Sequence, residues 1–266
     1  MARLGTLNGS LEARFTCSEH GSPRVRVQAR PPLELRGPFA GAGVPDYFLR
    51  NTTAGLLDGD AYRVDVTAAA GTSVHVGASS ASKVYAGESS LDVRLAVEPG
   101  ALLVWGPHAT ILHAGASYCQ ETRLALAPGG RAILAEVLVL GRLARGERFQ
   151  FQRLESLLEV SPPACEPLYS EAYSVTPGPD LIAGLAGHGV LVSVYALGFD
   201  PSEAGAGFEA ALTATCLAGW SALPNGCGAV FRALSGSLSQ GARFAEEALA
   251  GLLKRGERSP SLLIRP

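Results

Sequence analysis

Short runs in which apolar and polar side chains alternate, separated by glycine and proline, fill the first two-thirds of the chain. In Tyr62-Arg63-Val64-Asp65-Val66 and in Leu91-Asp92-Val93-Arg94-Leu95-Ala96-Val97 the apolar and charged positions fall on opposite faces of an extended strand. Each run can therefore bury one side and solvate the other. The 32 glycines and 17 prolines punctuate these runs as turn residues, the pattern of a mainly β chain.

A repeat orders the strands. Gly71, Gly100 and Gly129 are equally spaced, since 100 − 71 and 129 − 100 both give 29, and each stands between two strand-like arms. Val66, Leu95 and Leu124 lie five residues before these glycines, and Val76, Trp105 and Leu134 lie five after. A period of this length predicts stacked β units, a solenoid in which each coil covers the apolar face of the next. Ser82, Ile111 and Leu140, eleven residues beyond the turn glycines, are expected at equivalent places in successive coils.

After Pro162-Pro163 and Thr176-Pro177-Gly178-Pro179 the pattern changes. Leu191-Val192-Ser193-Val194-Tyr195 still reads as a strand, but Phe208, Ala211, Leu212 and Thr215 recur at helical spacing. Phe244, Ala248, Leu249 and Leu252 form a second helical stripe, with Glu246-Glu247 on its other side and Lys254-Arg255 at its end, where cations suit the helix dipole. The expected organisation is a stacked β domain over 1–176, a small strand-and-helix portion with two helices over 177–256 packed on it, and an extended tail over 257–266.

With 266 residues, 47% of them hydrophobic, the chain can bury a full core. A net charge of −2 gives no electrostatic case for nucleic acid. Only 17% of residues are charged, against about 25% in typical soluble domains, which points to a surface that a complex covers. The five cysteines, Cys17, Cys119, Cys165, Cys216 and Cys227, show no close pairing, and read as free thiols rather than a disulfide framework or a zinc-thiolate site. The N-terminal residues lack the apolar run of a signal peptide and no stretch reaches membrane-spanning length, so a cytoplasmic protein without membrane partners is expected. Walker A, dinucleotide-binding glycine-rich and H-E-x-x-H patterns are all missing from the sequence.

One hexapeptide, Gly55-Leu56-Leu57-Asp58-Gly59-Asp60, follows the polar run Asn51-Thr52-Thr53 and places two carboxylates either side of a glycine. Further landmarks follow in order: Ser82-Lys83-Val84-Tyr85, Trp105-Gly106-Pro107-His108 running on to Gly115-Ala116, Gly141-Arg142 with Gly146-Glu147, and Leu223-Pro224-Asn225-Gly226-Cys227-Gly228. Together with Arg30-Pro31-Pro32-Leu33 and Pro38-Phe39, this series resembles the urease accessory protein family called UreD, or UreH in some bacteria. The resemblance spans most of the chain. Asn51-Thr52-Thr53-Ala54 departs from the family pattern, in which a Gly-Gly pair often precedes the acidic turn.

The resemblance implies a predominantly β, helix-like solenoid with a few C-terminal helices. It implies a urease maturation factor and not an enzyme: a scaffold and chaperone that joins UreF and the GTPase UreG, binds apo-urease and helps deliver nickel to the urease active site through an internal polar tunnel. A dimer of the accessory complex is a further expectation. No tightly bound cofactor is expected, only nickel(II) in transit.

The residues themselves allow several chemistries. Asp58 and Asp60, if extended, point the same way and offer oxygens to a divalent cation; if turned, they bond their own backbone. The resemblance favours Asp60. His108 and His113, five apart on a strand, should face opposite sides unless Pro107 bends the chain, and many relatives carry glutamine at the position of His108. His75, opposite Val74 and Val76, is expected to face solvent. Glu136 among Leu134, Ala135, Val137 and Leu138 must be neutralised, paired, lining a wet passage, or on an edge facing water. Ser82, Lys83 and Tyr85 have no nucleophile context, and Lys83 is expected to partner Asp60 or Glu136. Arg142 and Glu147 are expected to pair around Gly146. Asp58, Asp60, His108 and Glu136 are thus the candidate nickel path, with Ser82, Lys83, Tyr85, Arg142 and Glu147 in support. Two rivals remain at this point: a β-solenoid hydrolase or lyase acting on carbohydrate through Asp58, Asp60 and Glu136, and a purely architectural adaptor.

Overall fold

A computed structural model of the chain describes residues 6–17, 23–39, 44–209, 212 and 217–256. The alternating runs form strands that zigzag between two sheets. Strands β1 (Ser10–Cys17), β2 (Pro23–Arg30), β5 (Ala61–Ala68), β8 (Gly87–Val97), β10 (Ala116–Leu126), β12 (Arg153–Ser161) and β13 (Tyr169–Val175) make a first sheet in the order β13-β12-β10-β8-β5-β1-β2. The second contains β3 (Leu33–Phe39), β4 (Asp46–Asn51), β6 (Ser73–Ala78), β9 (Leu102–Leu112), β11 (Arg131–Val139), β14 (Val190–Leu197), β15 (Leu217–Ala222) and β16 (Gly228–Ser235). Its order is β15-β16-β14-β11-β9-β6-β4-β3, with β7 (Ser82–Val84) also on β9. From β5 to β12 each coil gives one parallel strand to each sheet, so the chain is mainly β and solenoid-like.

The 29-residue repeat is the coil itself. Val66 lies in register with Leu95 and Leu95 with Leu124 in the first sheet. Val76 lies against Trp105 and Trp105 against Leu134 in the second. At the corners Gly71 donates its N–H to the Pro99 carbonyl and Gly100 to the Gly129 carbonyl, both at 3.1 Å, with φ of +69°, +69° and +76° at the three glycines. That left-handed conformation is why glycine recurs there.

Beyond Trp105 the register slips by one residue. Ser82 pairs with Thr110, not with Ile111, and Thr110 pairs with Leu138, so the expected alignment of Ser82, Ile111 and Leu140 is corrected by one position in each coil. The cause in the second coil is a bulge: β9 uses three steps from Trp105 to His108 where β11 uses two from Leu134 to Glu136.

Two apolar layers result. The inner faces of the two sheets enclose Phe15, Val66, Leu95, Leu124, Leu103, Leu134 and their neighbours. The other face of the second sheet, with Val104, Ile133, Val192, Val194 and Phe231, is covered by α2 (Pro201–Phe208) and α3 (Leu238–Gly256). Phe244, Ala248, Leu249 and Leu252 are the buried stripe of α3. A short helix, α1 (Pro179–Gly184), precedes β14, so the described residues hold three α-helices rather than two. Asp200 caps α2, accepting from the Ser202 and Glu203 amides, and the helix ends at Phe208, where the sequence stripe was expected to begin. Ala211, Thr215, Cys216, His20, the tail 257–266 and the side chains of Lys254 and Arg255 lie outside the described residues. The strands after residue 177 continue the second sheet by antiparallel pairing, β14 on β11, β16 on β14 and β15 on β16. On the outer face of the first sheet, ion pairs such as Arg63–Asp65 at 2.7 Å and Arg123–Glu121 at 2.7 Å meet solvent.

Candidate functional site

The space between the sheets is not wholly apolar. In β11, Glu136 points inward between Leu134 and Leu138, while Ile133, Ala135 and Val137 face the helices. Register carries this polar position across the second sheet, from His108 through Glu136 and Ser193 to Arg232. The facing sheet answers with Gln120, Ser156 and Tyr173 in one row and Thr122, Leu158 and Glu171 in the next.

Hydrogen bonds tie the rows together. The Tyr118 hydroxyl donates to Gln120 Oε1 at 3.1 Å, and the Gln120 amide donates to the Glu136 carboxylate. Arg232 donates to both Glu171 oxygens at 2.6 Å, to Ser193 Oγ at 2.8 Å and to the Tyr195 hydroxyl at 3.0 Å. Tyr195 and Tyr169 in turn donate to Glu171. Burial holds the Glu136 carboxyl above the usual carboxylate range, against the opposing pull of the Gln120 bond and the Arg232 charge. Burial likewise pushes the Tyr118, Tyr173 and Tyr195 hydroxyls up.

Two cavities flank this line. One, of about 400 Å³, is lined by Tyr62, Leu91, Tyr118, Ser82 and His108 among others. The other is tighter and is lined by Trp105, Glu136, Glu171, Tyr173 and Tyr195. His108 and Glu136, adjacent in register, stand between them.

His108 owes its place to the bulge. A one-residue slip turns every following side chain to the other face, so the extra residue at Gly106-Pro107 brings His108 inward beside Trp105, with ring centroids 4.4 Å apart. Its Nε2 is buried without a partner. A contact with the Val76 backbone pulls the ring toward protonation but is outweighed. Burial first, and the neighbouring His75 second, push the imidazole down to about 3, so it is neutral at any physiological pH.

His75 does not face solvent as its alternation implied; it is 2% exposed. Its Nδ1 meets Asp46 Oδ1 at 3.1 Å and its Nε2 meets the Gly106 carbonyl at 2.7 Å. Both partners are acceptors, a carboxylate on one side of the ring and a backbone carbonyl on the other.

The acidic turn splits its two carboxylates. Asp58 is exposed and accepts from the Glu88 amide of the next coil at 3.0 Å. Asp60 is 3% exposed, accepting from the Leu7 amide on Oδ1 and from the Leu57 amide and Tyr62 hydroxyl on Oδ2, at 2.9, 2.9 and 3.1 Å. It is an anchor for the segment entering β1, beside a surface depression shared with Ser89 and Ser117. Asp60→Ala is expected to destabilise the protein by about 2 kcal/mol through two stranded amides, with Asp60→Asn recovering much of it, as read by urea unfolding.

Lys83 is exposed and does not pair with Asp60 or Glu136, whose partners are those just given; its carbonyl accepts from the Leu56 amide at 2.8 Å. Tyr85 packs edge-on against His113, centroids 4.7 Å apart, and Ser82 lines the larger cavity. Arg142 holds Glu147 through Nε at 2.9 Å, and Glu147 also accepts from the Ala114 amide at 3.0 Å. The Arg142 guanidinium keeps the Glu147 carboxyl below its usual range.

Asp58, Asp60 and Glu136 therefore do not converge, and among the described residues no three His, Cys, Asp or Glu side chains gather as a metal cage. Sequence reading missed Asp46, Gln120, Glu171, Tyr195 and Arg232. The alternation Tyr169, Glu171, Tyr173 against Ser170, Ala172, Ser174 was the signal for Glu171.

The family model described as UreD urease accessory protein matches residues 7–263. Urease accessory protein UreD of Haloarcula marismortui is 33% identical over 240 residues, 85% of this chain and 80% of its own length. Urease accessory protein UreD 2 of Streptomyces griseus is 30% identical over 247 residues, 86% of this chain and 83% of its own. With a match along nearly its whole length and relatives of this extent, the chain belongs to the UreD family of urease accessory proteins.

Proposed function

We propose that the chain acts in urease maturation as a cytoplasmic scaffold and chaperone that assembles with UreF and the GTPase UreG, binds apo-urease and assists nickel(II) delivery through the polar interior between its sheets. The observation that carries this reading is the line of His108, Glu136 and Gln120 between two cavities, ending at the Glu171–Arg232 cluster. Imidazole binds nickel(II) well and carboxylate suits it less, and donors strung out singly let an ion move where a cage would trap it. The orphaned Nε2 of His108 fits such a cargo. Ser82 lies at the larger cavity, whereas Asp58, Arg142 and Glu147 hold coil corners and serve the passage only by fixing its walls.

Coexpression with UreF, UreG and the urease subunits tests the proposal. The chain should copurify with UreF and apo-urease, and omitting it should reduce urease activity to background. Full activity without it, or no association with either partner, overturns the reading.

A further inference from the structure

The bulge that turns His108 inward is held from the far side of the same sheet. Val74 and Val76 belong to the inner core, so His75 and its register partners Asp46 and Val104 point to the opposite face. From there His75 reaches the carbonyl of Gly106, the first residue of the bulge, while Asp46 fixes the other ring nitrogen. Asp46 and His75 are 3% and 2% exposed, so neither ring nor carboxylate is held by solvent. Gly106 has φ +104° and a Cβ there would collide with the Ala135 carbonyl, so the bulge is clamped by β11 as well. One residue beyond Pro107, His108 emerges with its Nε2 buried and without a partner.

We propose that Asp46, His75 and the Gly106 carbonyl form a buried clamp that presents the free Nε2 of His108 to a divalent transition-metal ion, making His108 a single-imidazole way station beside Glu136. The inference rests on the passage reading above and adds to it a ligand atom and the residues that aim it. A buried ring nitrogen without a partner is costly, and a dehydrating cation is a partner that removes this cost. Asp46 and His75 touch no cargo. They are positioning residues, in the way that hydrogen-bonded groups behind a metal-ligating histidine set its ring.

Nickel(II) titrated into the full chain labelled with 15N-histidine tests this by ring spectra. The wild type should show His108 protonated on Nδ1 alone, and its ring signals should broaden at lower nickel than those of His113 and His188. His108→Gln should abolish this first phase. His75→Gln and Asp46→Asn, the second retaining an acceptor for the ring, should each raise the nickel needed by about tenfold, with thermal unfolding confirming a folded chain. A proton on His108 Nε2, earlier broadening of His113 or His188, or an unchanged His108 response in folded clamp variants overturns the proposal. The spectra read the station directly, whereas urease activation by Glu136→Gln reads the passage, so the two fail separately.

Discussion

Gly106→Val is expected to lower stability by about 4 kcal/mol or more, combining a strained positive φ with a steric clash. In a chain of this size that is a fall of roughly 8–16 °C in the thermal midpoint. The residue holds φ +104°, a region that β-branched side chains avoid, and any Cβ meets the Ala135 carbonyl and carbon of the neighbouring strand. The clash is with backbone in a parallel ladder and not with a side chain that could swing aside. Gly71→Ala gives the control, since Gly71 shares a positive φ but a Cβ there meets nothing within 4 Å. It should lose only about 1 kcal/mol. Calorimetry on the pair separates strain from collision; equal midpoints would show that β9 and β11 can part at no cost. In the folded fraction of Gly106→Val the inward turn of His108 should be lost, and with it the first nickel phase.

Most of the fold was legible because its repeat is a register. Val66, Leu95 and Leu124, or Val76, Trp105 and Leu134, can be paired from spacing alone, and hydrogen-bonded strands place them side by side. The slip after Trp105 was not legible. Glycine and proline signal an irregularity, but which strand takes the extra residue depends on how the next coil packs, and that choice sets the face of His108. His75 shows a different failure. Alternation placed it opposite Val74 and Val76, which is correct, yet opposite the first core is not solvent here. The second face of this sheet is itself buried, His75 lying in register with Val104 of the second apolar layer, so the polar side chain there needed a buried partner and found Asp46.

The acidic turn was legible as a landmark and misleading as chemistry. Two carboxylates on either side of Gly59 suggest joint action, but Asp60 is occupied by two amides and a hydroxyl while Asp58 serves the next coil. Glu136 was legible for a sounder reason, since a charge set in an apolar strand must be answered. The answer, Gln120, comes from the facing sheet, and no sequence spacing encodes contacts between sheets.

Glu136→Gln is expected to make the protein more stable at neutral pH and a poorer urease activator. Burial raises the folded-state pKa of Glu136 above its unfolded value. Stability associated with this group is therefore fully present below the unfolded pKa and is lost as pH rises through the folded one. Glutamine keeps the shape without a charge, so the advantage of the variant should grow from acid pH to pH 7, to about 1 kcal/mol. Glu147 supplies the opposite sign: Arg142 lowers its pKa, so its contribution is present above the unfolded pKa and fades as pH falls through the folded one. Glu147→Gln should hurt most at neutral pH. Urea midpoints across pH 4–8 separate the two slopes. For activation, a dication passing an uncharged amide instead of a carboxylate loses several kcal/mol of compensation for its desolvation. Because about 1.4 kcal/mol is tenfold in rate, activation should fall at least about tenfold while association with UreF is unchanged. A variant that gains stability and still activates urease fully would leave the interior carboxylate without a transport role.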